Sequence, residues 1–176
     1  DDIKGPTACA ISPDGRFILS GDSTGVLHLW DTTKDQSICL FKDNSHSVNA
    51  CAFSPDSCFV AAVSNKTLTV WYLGNCGQPV NLQLPASLSS LGLHPWMPFL
   101  VCGDAGGSIY KIKVIGIQYR LIIVTAQRKK QELVARCPAC QQNHPIMQSQ
   151  LGTELTCPTP GCGLRLKINP FVIHID

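Results

Sequence analysis

Ala8-Cys9-Ala10-Ile11-Ser12-Pro13-Asp14 returns almost unchanged, 42 residues on, as Ala50-Cys51-Ala52-Phe53-Ser54-Pro55-Asp56. The same order of features follows each copy. An aromatic, Phe17 or Phe59, opens a short apolar run, polar turn residues come next at 21–25 or 64–66, and an alternating run ends in Trp30 or Trp71. A weaker third copy runs through Leu91-Gly92-Leu93-His94-Pro95, Phe99-Leu100-Val101-Cys102-Gly103-Asp104 and Ser108-Ile109-Tyr110-Lys111-Ile112, with Ile112 in the Trp position. Each copy reads as several short strands, because apolar runs rich in Val, Ile, Phe and Ala are bounded by Pro-Asp, Gly-Asp, Asn or Gly. No helical period competes with this pattern.

A spacing of about 40–45 residues, with several strands per unit and a closing Trp-Asp, is the signature of a propeller blade. Leu27-His28-Leu29-Trp30-Asp31 supplies that dipeptide, and Tyr72 replaces its Asp in the second copy. Residues 5–114 therefore resemble the WD-repeat family, which implies an all-β fold: a partial WD40 β-propeller of about three blades. Pro-Asp followed by Gly15 or Ser57 is turn chemistry, since Pro fixes its own φ and Asp can bond the backbone beyond it. The resemblance implies that His46 stabilises the second blade by hydrogen-bonding towards the Trp strand. The family's usual Asp before that strand is missing, with Thr24 and Asn65 near its place, so the buried polar network is expected to be incomplete.

The remainder of the chain has a different chemistry. Residues 1–125 carry a net charge of −1 and residues 126–176 a net charge of +3. Cys9, Cys39, Cys51, Cys58, Cys76 and Cys102 are scattered singly, whereas Cys137, Cys140, Cys157 and Cys162 form two close pairs. Both shifts place a boundary between residues 125 and 126, with the polar stretch 127–131 as a short linker or exposed turn. Cys137-Pro138-Ala139-Cys140 and Cys157-Pro158-Thr159-Pro160-Gly161-Cys162, sixteen residues apart, have the spacing of a four-cysteine structural Zn2+ site. Tight turns let both sulfurs of a pair point at one ion, and two such turns complete a tetrahedron. Pro138, Pro158 and Gly163 suit those turns. Residues 132–136, 153–156 and 164–168 read as short strands, so the tail (126–176) resembles a zinc ribbon. His144 reads as a turn residue beside an already full shell, and a full shell leaves no position for a substrate.

Composition bounds the function. With 44 % hydrophobic residues and 15 % charged the chain can fill a core, and its apolar runs are far shorter than the ~20 residues of a membrane-spanning helix. The first four residues lack a signal peptide's apolar segment, which together with single cysteines favours a reduced, cytoplasmic setting. A propeller needs typically 4–8 blades to close, so about three imply part of a longer chain, a truncated product, or a piece that completes its ring with other chains and can self-associate through open edges. The blades, the ribbon and the ending Leu166-Lys167-Ile168-Asn169-Pro170-Phe171 resemble the carboxy-terminal sensor region of the Apaf-1-like, NACHT and NB-ARC class of WD-repeat signalling NTPases. That resemblance implies a non-enzymatic, protein-binding scaffold or sensor module. The alternative is nucleic-acid binding through Arg128-Lys129-Lys130 and the Arg165/Lys167 face, against which the tail has one aromatic, Phe171, for stacking. Residues 169–171 read as strand packing in preference to an exposed peptide ligand. An enzyme has no nucleophile and base in a recognisable constellation, and residues 103–107 lack the ending of a phosphate loop.

Overall fold

The computed structural model describes residues 5–34, 36–42, 46–74, 78–115, 120–129 and 131–175. The chain divides into two compact units, Asp1–Gln118 and Tyr119–Asp176. The break falls upstream of residue 125, so the first strand of the second unit lies wholly within that unit.

In the first unit the repeats become antiparallel sheets. β1 (Pro6–Ile11), β2 (Phe17–Asp22), β3 (Val26–Asp31) and β4 (Gln36–Lys42) pair in chain order. β5 (Val48–Phe53), β6 (Phe59–Ser64), β7 (Thr67–Tyr72) and β8 (Val80–Gln83) repeat that arrangement. The third sheet holds β9 (Leu88–Leu93), β10 (Phe99–Asp104) and β11 (Ile109–Lys113), three strands among the described residues. The registers superimpose. Ile18 faces Trp30 as Val60 faces Trp71 and Leu100 faces Ile112. The third copy thus keeps the Trp position structurally after losing the Trp itself.

The sheets stack as blades through small and apolar residues on their facing surfaces. Leu19, Leu27 and Leu29 of the first blade bury against Phe53, Val60, Ala62 and Trp71 of the second. On the second blade's other face, Ala61, Val63 and Leu68 bury against Leu88, Leu100 and Cys102 of the third. β6 is buried on both faces along its whole length, from Phe59 to Ser64. Such two-sided burial explains its continuous apolar run, since neither face meets water. Inter-blade hydrogen bonds repeat as well: Thr7 Oγ1 donates to the Val48 carbonyl at 2.6 Å, and Asn49 Nδ2 to the Leu88 carbonyl at 2.6 Å.

The turns are held by serine and aspartate. Ser12 Oγ donates to Asp14 at 2.6 Å and accepts the Phe17 amide at 2.8 Å. Ser54 repeats this with Asp56 at 2.6 Å and the Phe59 amide at 3.0 Å. The polar network expected to be incomplete is instead supplied from the ends of β2 and β10. Asp22 accepts the Thr24 amide, the Thr24 hydroxyl and the Val26 amide, and Asp104 accepts the Gly106 and Ser108 amides and the Tyr110 hydroxyl. His46 departs from the expectation too. Its side chain is exposed, and it is its carbonyl that accepts Ser64 Oγ, at 2.7 Å. His28, by contrast, lies on the Trp30 strand itself, stacked on Trp30 and 3.7 Å from Asp22.

The second unit is one curled sheet in the order β14-β13-β12-β16-β15. Its strands are β12 (Ile122–Lys129), β13 (Glu132–Arg136), β14 (Asn143–Ile146), β15 (Glu154–Thr156) and β16 (Arg165–Ile175), with a 3-10 turn at Gln148–Gln150. β13 and β15 match the sequence reading, and β16 extends it. Residues 127–129 are not a linker: they finish β12, which pairs antiparallel with β13 and parallel with β16. Ala126, Ala135 and Ile168 form the core beneath these strands.

Candidate metal centre and blade surfaces

The two cysteine pairs occupy the turns that interrupt this sheet. After β13 the chain reverses through residues 137–140, where the Gln141 amide bonds the Cys137 carbonyl at 2.9 Å and the Cys137 amide bonds the Gln142 carbonyl at 2.9 Å. Gln141 closes that turn with φ 62°. The second turn, between β15 and β16, is closed by the Cys162 amide on the Thr159 carbonyl and the Cys157 amide on the Leu164 carbonyl. Gly161 and Gly163, at φ 80° and 57°, take the left-handed conformations that a side chain disfavours.

These turns bring Cys137, Cys140, Cys157 and Cys162 together, with all four sulfurs within 4.8 Å of one another. Cys137 and Cys162 stand 3.7 Å apart and Cys140 and Cys157 3.6 Å. A tetrahedron with metal–sulfur bonds of ~2.3 Å has edges of about 3.8 Å, whereas a disulfide needs ~2.05 Å. The cluster therefore has the dimensions of a four-thiolate metal site, and the four cysteines can hold an ion.

Its surroundings favour anionic sulfur at Cys140 and Cys157, and not at Cys137. Hydrogen bonds from the Thr159 hydroxyl, at 3.4 Å, and the Gln142 amide push the Cys140 thiol down to about 5. Cys157 is raised by burial, but its bonds with the Thr159 hydroxyl and amide leave it below the ordinary thiol value. Burial pushes Cys137 up to about 12. His144 is not a turn residue. It sits on β14, its Nε2 lying 3.3 Å from Cys157 Sγ and 3.2 Å from Thr159 Oγ1. His144 and Thr159 thus border the sulfurs as hydrogen-bonding neighbours; Thr159 had no signal in the sequence beyond its place between two prolines.

The other singled-out residues separate. No disulfide links the eight described cysteines; Cys76 and the Cys39 side chain lie outside the described residues. Burial pushes Cys102 up to about 11, and burial with Cys9 nearby pushes Cys51 up to about 12, so both stay protonated. Residues 169–171 do not pack as one strand end. Register shifts between Val124 and Ala126 on the paired strand, leaving Asn169 buried with its Nδ2 on Thr125 Oγ1 at 2.9 Å and Phe171 55 % exposed. On the basic face, Arg165 pairs with Glu154 at 3.0 Å. Between β8 and β11 the blades leave an apolar groove of about 490 Å³, lined by Val70, Val80, Leu82, Ile112, Val114 and Ile115.

Residues 3–31 and 35–72 match the family described as WD domain, G-beta repeat. Among curated proteins the chain is 28 % identical over 86 residues to Target of rapamycin complex subunit LST8 of Mus musculus, covering 47 % of this chain and 26 % of that protein. It is 36 % identical over 73 residues to Meiotic recombination protein rec14 of Schizosaccharomyces pombe, covering 40 % and 24 %. Against Small ribosomal subunit protein RACK1z of Oryza sativa subsp. japonica the figures are 27 % over 120 residues, 64 % and 36 %. The chain spans 36 % or less of the length of these relatives. The β-propeller domain of Myceliophteria thermophila Cps50 (Swd1) superimposes with a TM-score of 0.61 at 14 % identity, over 77 % of this chain and 50 % of that one. Among the described residues no helix is long and apolar enough to cross a membrane.

Proposed function

We propose that this chain is a non-enzymatic protein-binding module of WD40-type blades, joined to a zinc-ribbon-like tail folded around one structural Zn2+ held by Cys137, Cys140, Cys157 and Cys162. The four-sulfur cluster carries the metal part of the reading. Four thiolates complete a tetrahedral shell, so the ion supplies folding free energy and leaves no position for substrate. His144 and Thr159 orient and hydrogen-bond the sulfurs from outside that shell.

Several features support the binding role. Propellers of this repeat type typically serve as protein-binding scaffolds, and the carboxylates of Asp22, Asp31 and Asp104 are occupied in turns. Two of the relatives are named as a complex subunit and a ribosomal subunit protein. The groove beside β8, where Val80 is 70 % and Ile115 88 % exposed, offers a partner apolar contact. The sensor role within a signalling NTPase rests on the sequence resemblance alone, as does the cytoplasmic setting on the cysteine pattern. The exposed pairing of Arg165 with Glu154 offsets part of the basic face's charge, which supports the protein-binding reading over the nucleic-acid one.

Metal analysis of purified protein tests the first part: one zinc per chain is expected in the wild type and less than a tenth of that in Cys137→Ser. Absence of stoichiometric zinc refutes it. For the second part, a protein partner recovered with the wild type is lost with Val80→Glu; retention of every partner by that variant refutes the groove as the contact.

A further inference from the structure

One turn is built three times in the first unit, between β1 and β2, β5 and β6, and β9 and β10. In each, the amide before the turn donates to the aromatic that opens the next strand: Ser12 to Phe17 at 2.9 Å, Ser54 to Phe59 at 2.9 Å and His94 to Phe99 at 3.0 Å. The carbonyl preceding that aromatic then ties down the blade's third strand. Arg16, Cys58 and Pro98 accept the amides of Thr32, Leu73 and Val114, each at 2.8 Å. The backbone is thus alike in all three, but the side chain that holds the turn is not. Ser12 Oγ and Ser54 Oγ accept turn amides in the first two blades. In the third the acceptor is the imidazole of His94, whose Nδ1 takes the Trp96 amide at 3.3 Å and the Met97 amide at 3.1 Å.

That exchange makes the turn depend on a protonation state. Nδ1 accepts only while the ring is neutral with its hydrogen on Nε2, because an imidazolium carries hydrogen on both nitrogens. A serine hydroxyl has no such change between pH 5 and 8. The neighbours of the ring oppose a second charge. Within the turn it meets Trp96 edge-on, with centroids 4.4 Å apart, and from β10 Phe99 tilts against it at 4.3 Å. From β11 the Lys111 ammonium lies 4.4 Å from the centre of that same Phe99 ring, so the aromatic face that attracts a cation already holds one. Among the described residues Lys111 is the charged group that bears on His94. Burial, and then that ammonium, hold the imidazole below the ordinary value of 6.5.

We infer that His94 makes the third blade's turn a proton-sensitive clasp, closed while its Nδ1 accepts the two amides and released when the ring takes up a proton, whereas the serine turns of the other blades stay closed. The closed turn's contribution is complete above pH 6.5 and is lost as pH falls from there through the lower value of the folded protein. Release leaves the Trp96 and Met97 amides without their acceptor and loosens the segment through Pro98, to which the end of β11 is tied.

NMR titration of the His94 ring in the full chain tests it, with the resonances assigned by their absence from His94→Asn. That variant keeps an acceptor, Oδ1, near the place of Nδ1 and takes up no proton. His94 should titrate below pH 6.5 in the folded wild type. Urea unfolding followed by tryptophan fluorescence supplies the second readout. The ratio of the wild-type to the variant unfolding constant should rise between pH 7.5 and 5, by about tenfold for each pH unit that the His94 titration lies below 6.5. Acid effects on every other group, the cysteine cluster included, are common to both proteins and cancel in that ratio. If His94→Asn does not fold, His94→Ser, which puts a serine where the other two blades have one, takes its place in the same comparison. A His94 titration at or above 6.5, or a ratio that does not change with pH, overturns the inference.

Discussion

Ser54→Ala should be among the most damaging conservative changes in the first unit. Ser54 is fully buried, donates its hydroxyl to Asp56 at 2.6 Å and accepts the amides of Cys58 and Phe59, both at 3.0 Å. Alanine removes a hydrogen bond to a carboxylate, worth roughly 1.5–3 kcal/mol, and takes the acceptor from two amides in a buried turn. Partial relaxation sets the expected loss at about 3 kcal/mol, a large share of the roughly 5–15 kcal/mol that a domain possesses. Urea unfolding followed by tryptophan fluorescence is the assay, because Trp30, Trp71 and Trp96 all lie in the first unit. Ser23→Ala, at an exposed position, is the control and should stay within about 0.5 kcal/mol of wild type. A Ser54→Ala loss below about 1 kcal/mol would refute the hydroxyl as the anchor of the turn.

Three further outcomes follow from other parts of the molecule. A strong chelator should remove strand signal from the circular dichroism spectrum while leaving tryptophan fluorescence unchanged, since on the proposed reading a metal would supply much of the tail's folding free energy; an unaltered spectrum after complete metal loss contradicts this. Ser57→Gly should stabilise the blades by about 0.5–1 kcal/mol, because Ser57 holds φ 56° with a buried hydroxyl lacking a hydrogen-bond partner, and Gly15 holds φ 70° at the same turn of the first blade; a loss in urea midpoint argues the other way. The Thr33 and Tyr110 hydroxyls hold Asp31 and Asp104 below the ordinary carboxylate value of 3.8. Their contribution is therefore present above that value and lost as pH falls from there through the lowered ones. Blade stability should accordingly decline on acidification below about pH 4, with a shallower decline in Asp104→Asn; equal slopes would exclude Asp104 as a source.

How far the sequence could be read depended on whether the signal was local. The Ser-Pro-Asp repeat located the blades because the turn is built within a few residues, as Ser12–Asp14 and Ser54–Asp56 demonstrate. The cysteine spacing located the cluster for the same reason. What stayed hidden depends on distant pairing. Residues 127–129 read as a polar linker because nothing nearby reveals that β12 is matched to β16, some forty residues later. Phe171 was expected to pack, but β16 carries two extra residues relative to β12 between Ile168 and Val172, and in that irregular stretch Asn169 is buried and Phe171 turned outward. The acids at Asp22 and Asp104 were visible only as strand boundaries, although their carboxylates hold the following turns together. His144 was read from its nearness to Cys140 in sequence, whereas β14 carries it to Cys157.

The parallel pairing of β12 with β16 has a mechanical consequence. The polypeptide enters this sheet at the Ile122 end of β12 and leaves at the Ile175 end of β16, with both cysteine turns in the intervening segment. Tension drawn between those two ends runs along the strands in opposite senses. It loads their hydrogen bonds in shear, all together, where an antiparallel hairpin pulled from its adjacent ends would open one bond at a time. The tail is thus arranged to behave as a buckle, with the cysteine turns held inside the loop that the two strands fasten.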